Sequence, residues 1–325
     1  MINAVLAMPP HLEPFVFGDR EMRRLLDLLE LATPQPVTDL TQVPESQLSQ
    51  LELMIAGWGM APLGLGELDR MPRLRGIVHW GGGAGFLDPG LGQARGITQS
   101  TGRATNAIPV AEWTIAMIVL GAKDVFRISR SYCANPRPID REREFPSAGL
   151  YGNVIGIVGA SSVGGQVMER LKQHDVRVLV YDPLITRQAA AALGAELVPE
   201  LAELAASSDI LSIHAPWLPS TTGMVNAEVL AAMPDGATLI NTARGAIVDQ
   251  DALVLELETG RINAIIDVTH PEVLPPDHPL YTLPNVFLTP HMAGSMGVEL
   301  RRLGEAALRE VENFAAGRPF EWSLA

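Results

Sequence analysis

Short apolar runs alternate with amphipathic stretches along the first hundred residues. The runs Ala4–Met8, Leu53–Ala56 and Ile77–Trp80 are compact and predict buried strands. After the candidate N-cap Asp19, apolar residues recur at helical spacing, at Met22, Leu25, Leu26 and Leu29. Alternation of strands and helices predicts a parallel sheet with helices on its faces.

The same alternation is more regular after residue 150. Predicted strands cover Val154–Val158, Val176–Tyr181, Ile210–Ile213, Thr238–Asn241, Ile262–Val268 and Val286–Thr289. Helices are predicted over Val163–Gln173 and from a cap at Asp249 or Asp251 to Gly260. A last amphipathic helix, Ser295–Phe314, follows the final strand, and we expect it to pack on the first domain.

The segment between these two halves is a long apolar helix followed by a polar stretch. The helix, over Asn106–Ala122, contains Glu112 and falls short of the roughly 20 uninterrupted apolar residues of a membrane span. We expect it to be buried, either between domains or against a second subunit of a homodimer. The Arg-rich, Pro-containing stretch Asn135–Pro146 predicts a surface loop.

Composition and charge exclude several classes of protein. The chain has 325 residues, enough for two domains, and its net charge of −13 argues against nucleic acid as a partner. Its single cysteine, Cys133, excludes a disulfide framework. The N-terminus lacks the pattern of a signal peptide, and we expect a cytoplasmic protein without a membrane partner.

A glycine-rich turn follows the predicted strand Val154–Val158. Gly159 and Gly164 fit the first and third glycines of the GxGxxG pattern, and Ser161 occupies the second. In that pattern the pyrophosphate of a dinucleotide lies at the helix N-terminus. Alone, this turn is equally compatible with an ordinary strand-to-helix connection.

Asp182 strengthens the prediction of a dinucleotide site. It ends the next strand about 20 residues on, where a carboxylate accepts the ribose hydroxyls of NAD and repels the 2′-phosphate of NADP. NADP is therefore less favoured, although Arg187 is close enough in sequence to contact such a phosphate. The alternative for Asp182 is a turn residue before Pro183.

Three residues in distinct contexts are candidates for catalysis: Arg244 in NTARGAIVD, Glu272 in DVTHPEVLP and His291 in LTPHMAGS. An arginine can bind a substrate carboxylate, and a histidine can move the proton that accompanies a hydride. A carboxylate can orient that histidine.

Together these blocks resemble the D-isomer-specific 2-hydroxyacid dehydrogenase family. The resemblance runs from about residue 106 to the final helix and is strongest over 154–295. It depends on the blocks VIGIVGASSVGG, VYDP, HAPWLPSTTGMVN, ATLINTARGAIVDQDAL, DVTHPEVLPPDHPL and NVFLTPHMAGS. It implies an NAD-dependent oxidoreductase acting on a small 2-keto or 2-hydroxy acid.

The resemblance implies a role for each residue. Arg244 would bind the substrate carboxylate and carbonyl oxygen. His291 would be the general acid in reduction and the base in oxidation, held as an imidazolium by Glu272. The glycine run after Trp80 would grip the substrate carboxylate, at Gly82, Gly83 and Ala84. The cofactor would be bound by Gly159, Ser161, Ser162, Val163, Gly164, Asp182, Thr221, Thr242, Ala243, Asp267 and Gly294.

The resemblance also implies the architecture. We predict an α/β protein of two Rossmann-like or flavodoxin-like domains with parallel sheets. The NAD-binding domain, residues 105–293, is inserted into a substrate domain built from residues 1–104 and 294–325. In 325 residues we expect no appended regulatory domain.

The chain departs from the family in the segment after Asp267. Thr269 and His270 replace an aromatic residue and an acid, and Val273 replaces a proline. His270 is therefore a rival acid–base group or a substrate contact. A metal cluster around His270 and Glu272 is the weaker alternative, because the spacing fits no standard site.

Two alternatives stay open for function. The first is a phosphoglycerate or sugar-acid dehydrogenase, although no Lys or Arg lies in the glycine run at 81–85. The second is a corepressor-like protein that senses NADH without catalysis. The residues do not decide among glyoxylate, hydroxypyruvate, aldonates and bulkier 2-keto acids as the substrate.

Overall fold

The computed structural model describes residues 1–83 and 86–324. The chain forms two compact units: a split unit, Met1–Ala107 with Ser295–Ala325, and a continuous unit, Ile108–Gly294. The divisions lie three residues and one residue from the predicted domain boundaries at 104/105 and 293/294. Which unit binds which ligand stays a prediction.

The split unit contains a mostly parallel sheet. In chain order, its strands are β1 (Ile2–Ala7), β2 (Leu29–Leu31), β3 (Leu53–Ala56), β4 (Gly76–His79), β5 (Thr98–Thr101) and β13 (Ser323–Leu324). Across the sheet the order is β13-β5-β4-β3-β1-β2, and β13 alone pairs antiparallel. Successive residues of β1 enter the cores on opposite faces: Val5 and Ala7 on one, Ala4 and Leu6 on the other.

Helices cover both faces of this sheet. They are α1 (Glu13–Val16), α2 (Asp19–Leu28), α3 (Glu45–Leu48), α4 (Leu65–Asp69), α5 (Pro89–Arg95), the start of α6 (Arg103–Ala122) and α14 (Leu300–Ala315). Leu303 and Val311 of α14 are fully buried in the core of the split unit. Gly304 permits a close approach to α1, because a Cβ there would lie 1.8 Å from the carbonyl oxygen of Val16.

The continuous unit contains an all-parallel sheet. Its strands are β6 (Val154–Val158), β7 (Arg177–Tyr181), β8 (Glu196–Leu197), β9 (Ile210–Ile213), β10 (Thr238–Asn241), β11 (Asn263–Ile266) and β12 (Val286–Leu288). Their order is β12-β11-β10-β9-β6-β7-β8, so the direction of winding reverses between β6 and β9. Ligands of doubly wound sheets bind outside the carboxyl ends of the strands at such a reversal.

The remaining α-helices belong to the continuous unit. They are α7 (Val125–Ala134), α8 (Arg141–Glu144), α9 (Ser162–Leu171), α10 (Arg187–Ala192), α11 (Leu201–Ala206), α12 (Ala227–Ala232) and α13 (Gln250–Glu258). Asp249 caps α13 by accepting a hydrogen bond from Ala252 N–H at 3.1 Å, which decides between the two predicted caps. The predicted α/β class with two parallel sheets is confirmed.

Helix α6 is, within the described part of the chain, long and apolar enough to cross a bilayer. Core helices of soluble proteins meet the same criterion, so length and composition alone decide nothing. Of its most apolar window, 44% is buried. The buried part includes Ala111, Met117 and Ile118, which lie in the core of the continuous unit.

Three local predictions were wrong. The N-cap of α2 is Gly18, not Asp19, and the Gly18 N–H donates to Glu21 Oε2 at 3.1 Å. Leu29 leaves the helix and pairs with β1, because burial in the sheet outweighs its helical spacing. The predicted loop Asn135–Pro146 contains the single helical turn of α8, capped by Asp140.

Candidate active site

The turn after β6 is built for close backbone packing. Gly159 has φ +96°, in the left-handed region, and a Cβ there would lie 2.6 Å from the backbone nitrogen of Ala215. In α9, a Cβ on Gly164 would lie 2.0 Å from the carbonyl oxygen of Gly159. These two glycines therefore let strand, turn and helix meet at the reversal between β6 and β9.

Ser161 is the N-cap of α9. Its Oγ accepts a hydrogen bond from Gly164 N–H at 3.3 Å, and its φ of −62° suits any residue. The serine that replaces the second glycine thus satisfies a backbone donor at the start of the helix. Ser162 and Val163 form the first turn of α9, whose N-terminus is a favourable place for an anionic group.

Asp182 follows β7 and lies beside the same turn. Its Oδ2 accepts a hydrogen bond from Ala160 N–H at 2.7 Å, and its Oδ1 accepts one from Leu184 N–H at 2.8 Å. The carboxylate is therefore fixed next to the glycine turn. Its contact with a ribose stays a prediction, and so does the contact of Arg187, the first residue of α10, with a 2′-phosphate.

A buried histidine lies behind this turn. His214, at the end of β9, has its Nε2 atom 2.9 Å from Ser212 Oγ. Its Cβ lies 3.4 Å from where a Cβ on Gly164 would be. Burial lowers the pKa of His214 to about 3, so the ring is neutral at ordinary pH. It therefore brings no charge to the predicted phosphate site.

Other residues predicted to contact the cofactor follow neighbouring strands. Thr242, after β10, is 7% exposed, and its Oγ1 has no hydrogen-bond partner among the described residues. Thr221 shapes the loop after β9 by donating to the carbonyl of Pro216 at 2.7 Å. Ala243 and Gly294 are half-buried. The glycine cradle and the unpartnered Thr242 hydroxyl fit a bound NAD molecule.

Asp267 holds the loop that carries His291. It is 1% exposed, and its carboxylate accepts a hydrogen bond from Thr289 Oγ1 at 2.6 Å. The same carboxylate accepts from the N–H groups of Met292 at 2.8 Å and Ala293 at 2.9 Å. The loop places His291 at φ +53°, a left-handed conformation that costs a residue with a Cβ about 1–2 kcal/mol. Whether Asp267 also faces the nicotinamide stays a prediction.

His291 and Glu272 form a close pair. Nδ1 of His291 lies 2.6 Å from Glu272 Oε1, and the two side chains are 42% and 60% exposed. A carboxylate oxygen only accepts, so Nδ1 is the donor. Nε2 is then the ring atom that can exchange a proton with a substrate. The structure thus brings two of the three predicted catalytic residues into contact.

Gly245 brings the Arg244 segment against the loop that carries Glu272. A Cβ on Gly245 would lie 2.1 Å from the carbonyl carbon of Thr269. Thr269 Oγ1 lies 2.9 Å from the carbonyl oxygens of both Pro271 and Glu272, and so fixes the turn that presents the Glu272 carboxylate. The backbones that carry the predicted arginine and glutamate are therefore in direct contact.

Arg244 follows β10 and its side chain is exposed. Its Nη1 donates to the carbonyl of Ala243 at 2.6 Å. Asn241 fixes the turn beneath it: Nδ2 donates to the carbonyl of Arg244 at 3.1 Å, and Oδ1 accepts from Ala243 N–H at 3.0 Å. The guanidinium is thus held near the strand end with donors available for a carboxylate.

His270 makes contacts different from those of His291. Its backbone N–H donates to Gln250 Oε1 at 3.2 Å, and its ring centre lies 5.7 Å from that of Trp217. The carboxylate of Glu272 bonds His291 instead. Across residues 1–83 and 86–324, no three His, Cys, Asp or Glu side chains gather as a metal site requires.

The glycine run after β4 lies in the split unit. The carbonyl of Gly81 lies 3.1 Å from His79 Nδ1, and the carbonyl of Gly83 accepts from Thr101 Oγ1 at 3.3 Å. Burial lowers the pKa of His79, and the hydrogen bond to Gly81 partly opposes that shift. These contacts fix the carbonyl groups of the turn.

Gly82 packs on Asn106 in the same unit. A Cβ on Gly82 would lie 2.6 Å from Asn106 Nδ2, and Asn106 Oδ1 accepts from Ser295 N–H at 3.0 Å. Gly82 and Gly83 are half-buried, whereas the predicted substrate contact Ala84 lies outside the described residues. Their contact with a substrate stays a prediction.

Sequence reasoning missed the residues that position the site. These are His214, Asn241, Gly245, Gln250, Thr269 and Thr289. Asn241 and Thr289 could have been found, because a polar side chain at a strand end commonly caps the following turn. The contact of Gly245 with Thr269 has no signal in a single sequence.

Comparisons with known proteins agree with this geometry. The family described as D-isomer specific 2-hydroxyacid dehydrogenase, NAD binding domain, matches residues 115–293. D-3-phosphoglycerate dehydrogenase of Methanocaldococcus jannaschii is 30% identical over 250 residues, 77% of this chain and 47% of the relative. This chain thus spans about half the length of the phosphoglycerate dehydrogenases that it matches.

Two further matches cover a larger share of the matched protein's own length. Glyoxylate reductase of Korarchaeum cryptofilum is 32% identical over 268 residues, 79% of this chain and 77% of the relative. The crystal structure of D-lactate dehydrogenase from Aquifex aeolicus, complexed with NAD and lactic acid, superposes with a TM-score of 0.73. The two sequences are 28% identical, and the superposition covers 97% of this chain and 96% of the lactate dehydrogenase chain.

Two adjacent glycines of α9 test the packing of the dinucleotide turn. Gly164→Ala should destabilise the protein by about 1–3 kcal/mol, because its Cβ meets the Gly159 carbonyl. Gly165→Ala should stabilise it by up to about 1 kcal/mol, since a Cβ there meets nothing within 4 Å. Urea unfolding measures both, and equal free energies of unfolding would contradict this packing.

Proposed function

Because this chain belongs to the D-isomer specific 2-hydroxyacid dehydrogenase family, we propose that it transfers a hydride between NAD(H) and a small 2-keto or 2-hydroxy acid. The observation that carries the proposal is the 2.6 Å contact between His291 and Glu272. That pair lies on loops that follow β11 and β12, in the sheet that also carries the glycine turn.

Arg244 and His291 act on different groups of the substrate. Arg244 binds the carboxylate of the acid and orients the neighbouring carbonyl, since its guanidinium is exposed and its backbone is fixed by Asn241. In reduction, Nε2 of His291 gives a proton to the carbonyl oxygen, and in oxidation it takes that proton from the hydroxyl. Glu272 keeps the ring oriented through Nδ1.

The residues at the reversal of the sheet would hold the cofactor. Gly159 and Gly164 let the strand, the turn and the start of α9 pack closely, Ser161 caps the helix N-terminus where the pyrophosphate would lie, and Thr242 offers a free hydroxyl. Bound NADH supplies the hydride for the carbonyl carbon. NAD is the cofactor that the family description names, and the Asp182 carboxylate disfavours the 2′-phosphate of NADP.

Phosphoglycerate dehydrogenase is the second candidate, supported by the phosphoglycerate dehydrogenases to which this chain is about 30% identical. A sensor of NADH is disfavoured, because the relatives that match are named as enzymes and the His291–Glu272 pair is intact. The exposed thiol of Cys133 supports a reducing, cytoplasmic location as a further proposal.

A homodimer is part of the proposal. Of the most apolar window of α6, 44% is buried, and most of its other residues are only partly buried by their own chain. Trp113 and Ile115 are half-buried and Ala116 is exposed on this helix. A second copy of the chain would cover that surface.

Turnover with a panel of 2-keto acids tests the proposed reaction. NADH should be oxidised with at least one of glyoxylate, hydroxypyruvate, pyruvate, phenylpyruvate and 3-phosphohydroxypyruvate. When NADPH replaces NADH, the same acid should be reduced more slowly.

Arg244→Ala should lower kcat/KM by about 10²–10³-fold because a charged contact to the carboxylate is lost, while NADH still binds by fluorescence titration. The exposed Arg141→Ala serves as the matched control. NADH binding without turnover on any acid would favour the sensor.

Two histidine variants test which ring moves the proton. His291→Gln should lower kcat by about 10²–10⁴-fold, the usual contribution of a general acid. The loss in His270→Gln should be at least about ten times smaller, because its ring does not bond Glu272. If the two variants lost activity equally, or if His270→Gln lost more, the assignment of His291 would be wrong.

Light scattering tests the dimer. The mass in solution should be twice the 34.9 kDa of one chain. Ala116→Arg should yield monomers, because a charged side chain would enter the apolar interface. Ala191→Arg, at an exposed position of α10, should leave the mass unchanged. A mass of one chain for the unmodified protein would refute the dimer.

A further inference from the structure

The aromatic rings of Trp217 and His270 lie close together at the carboxyl ends of the strands. Neither ring takes part in the proposed hydride transfer. Trp217 lies on the loop after β9 and His270 on the loop after β11. Their ring centres are 5.7 Å apart with planes inclined by 59°. Trp217 remains 51% exposed, which is unusual for so large an apolar side chain.

The pair lies directly beside the catalytic segments. The backbone nitrogen of His270 is 2.5 Å from where a Cβ on Gly245 would be, so His270 touches the residue that follows Arg244. His270 also precedes Glu272 by two residues, and Glu272 bonds His291. The segment that carries the His270 ring is therefore adjacent to the segments that carry the groups proposed to bind the carboxylate and move the proton.

Both ring-bearing segments are held in place while the rings stay accessible. Trp217 Nε1 donates to Thr222 Oγ1 at 2.9 Å, within its own loop. The backbone N–H of His270 donates to Gln250 Oε1 at 3.2 Å. A recognition surface that is ordered before binding loses less conformational entropy when a ligand arrives.

The two loops that carry the pair contribute no positive charge, and Arg244 of the adjacent segment is assigned to the substrate carboxylate. Residues 214–222 contain no Lys, Arg, Asp or Glu, and residues 267–275 contain only Asp267 and Glu272 among those types. Asp267 is buried, and Glu272 is engaged by His291. Exposed apolar side chains accompany the rings on these loops, at Leu218 and Val273. A ligand part bound here is thus an uncharged, apolar one.

We propose that Trp217 and His270 form the wall that receives the substrate's side chain, and that they select 2-keto acids whose side chain carries an aromatic ring. The inference rests on the proposed function, which it deepens. A third ring can pack edge-to-face or offset on such a pair at centroid distances of about 4.5–7 Å. An aliphatic or hydroxylated side chain gains less from the same surface.

The test compares phenylpyruvate with glyoxylate, which has no side chain. The unmodified protein should use phenylpyruvate with the higher kcat/KM. In Trp217→Ala the ratio of kcat/KM for phenylpyruvate over glyoxylate should fall by about 10-fold or more, through KM for phenylpyruvate. Glyoxylate turnover should change by less than about 3-fold, well under that loss.

Two further variants test whether the aromatic face of Trp217 itself sets the substrate preference. Trp217→Phe removes the N–H donated to Thr222 but keeps an aromatic face, and should retain the preference for phenylpyruvate within about 3-fold. Tyr132→Ala removes an aromatic side chain of similar exposure, 48%, from α7 and should leave the ratio unchanged.

The outcomes distinguish this inference from the proposed function. Turnover of glyoxylate with no preference for phenylpyruvate, or an unchanged ratio in Trp217→Ala, would overturn the inference alone. If Trp217→Phe and Trp217→Ala lost the preference for phenylpyruvate equally, the hydrogen bond to Thr222 would set that preference. If Trp217→Ala instead raised the KM for NADH, the Trp217 ring would be assigned to the cofactor. Either result would also overturn the inference. Absence of turnover on every acid would overturn the proposed function and this inference together.

Discussion

The buried carboxylate of Asp267 is the constraint on which the site depends. Removing a carboxylate from water costs several kcal/mol unless donors replace the water. Thr289, Met292 and Ala293 supply three such donors, and hydrogen bonds to a charged group contribute about 1.5–3 kcal/mol each. Together they exceed the 1–2 kcal/mol or so that the left-handed backbone of His291 costs. The histidine that Glu272 orients is therefore held by the strand end.

A second constraint is the absence of side-chain atoms where backbones cross. Gly245 against Thr269, and Gly159 against Ala215, leave no room for a Cβ. The loops that follow β6 and β9 are thereby packed directly on each other, and so are the loops that follow β10 and β11. A shift in one of these loops would displace its neighbours, so catalytic and recognition groups share a common framework.

Much of this arrangement could be predicted because parallel strands leave strong signals. The apolar runs predicted at Val176–Tyr181 and Thr238–Asn241 match the observed β7 and β10, and the strand-end positions of Asp182 and Arg244 followed from them. Contacts between distant segments were not predictable. In the sequence, Ser161 departs from the second glycine of the GxGxxG pattern. Its capping hydrogen bond with Gly164 could not be predicted, because that bond depends on backbone angles that the sequence does not reveal. Leu29 was misassigned because its pairing with β1 is non-local.

The discontinuous build of the split unit has a consequence for the order of events during synthesis. Its sheet includes β13, and its core is completed by Leu303 and Val311 of α14, and both elements follow the continuous unit in the chain. The continuous unit has all its own strands once residue 294 has emerged. Since domains form as units while a chain is made, the internal segment can close its core first. The first segment of the split unit, Met1–Ala107, must wait, with apolar surface uncovered, until α14 and β13 have emerged.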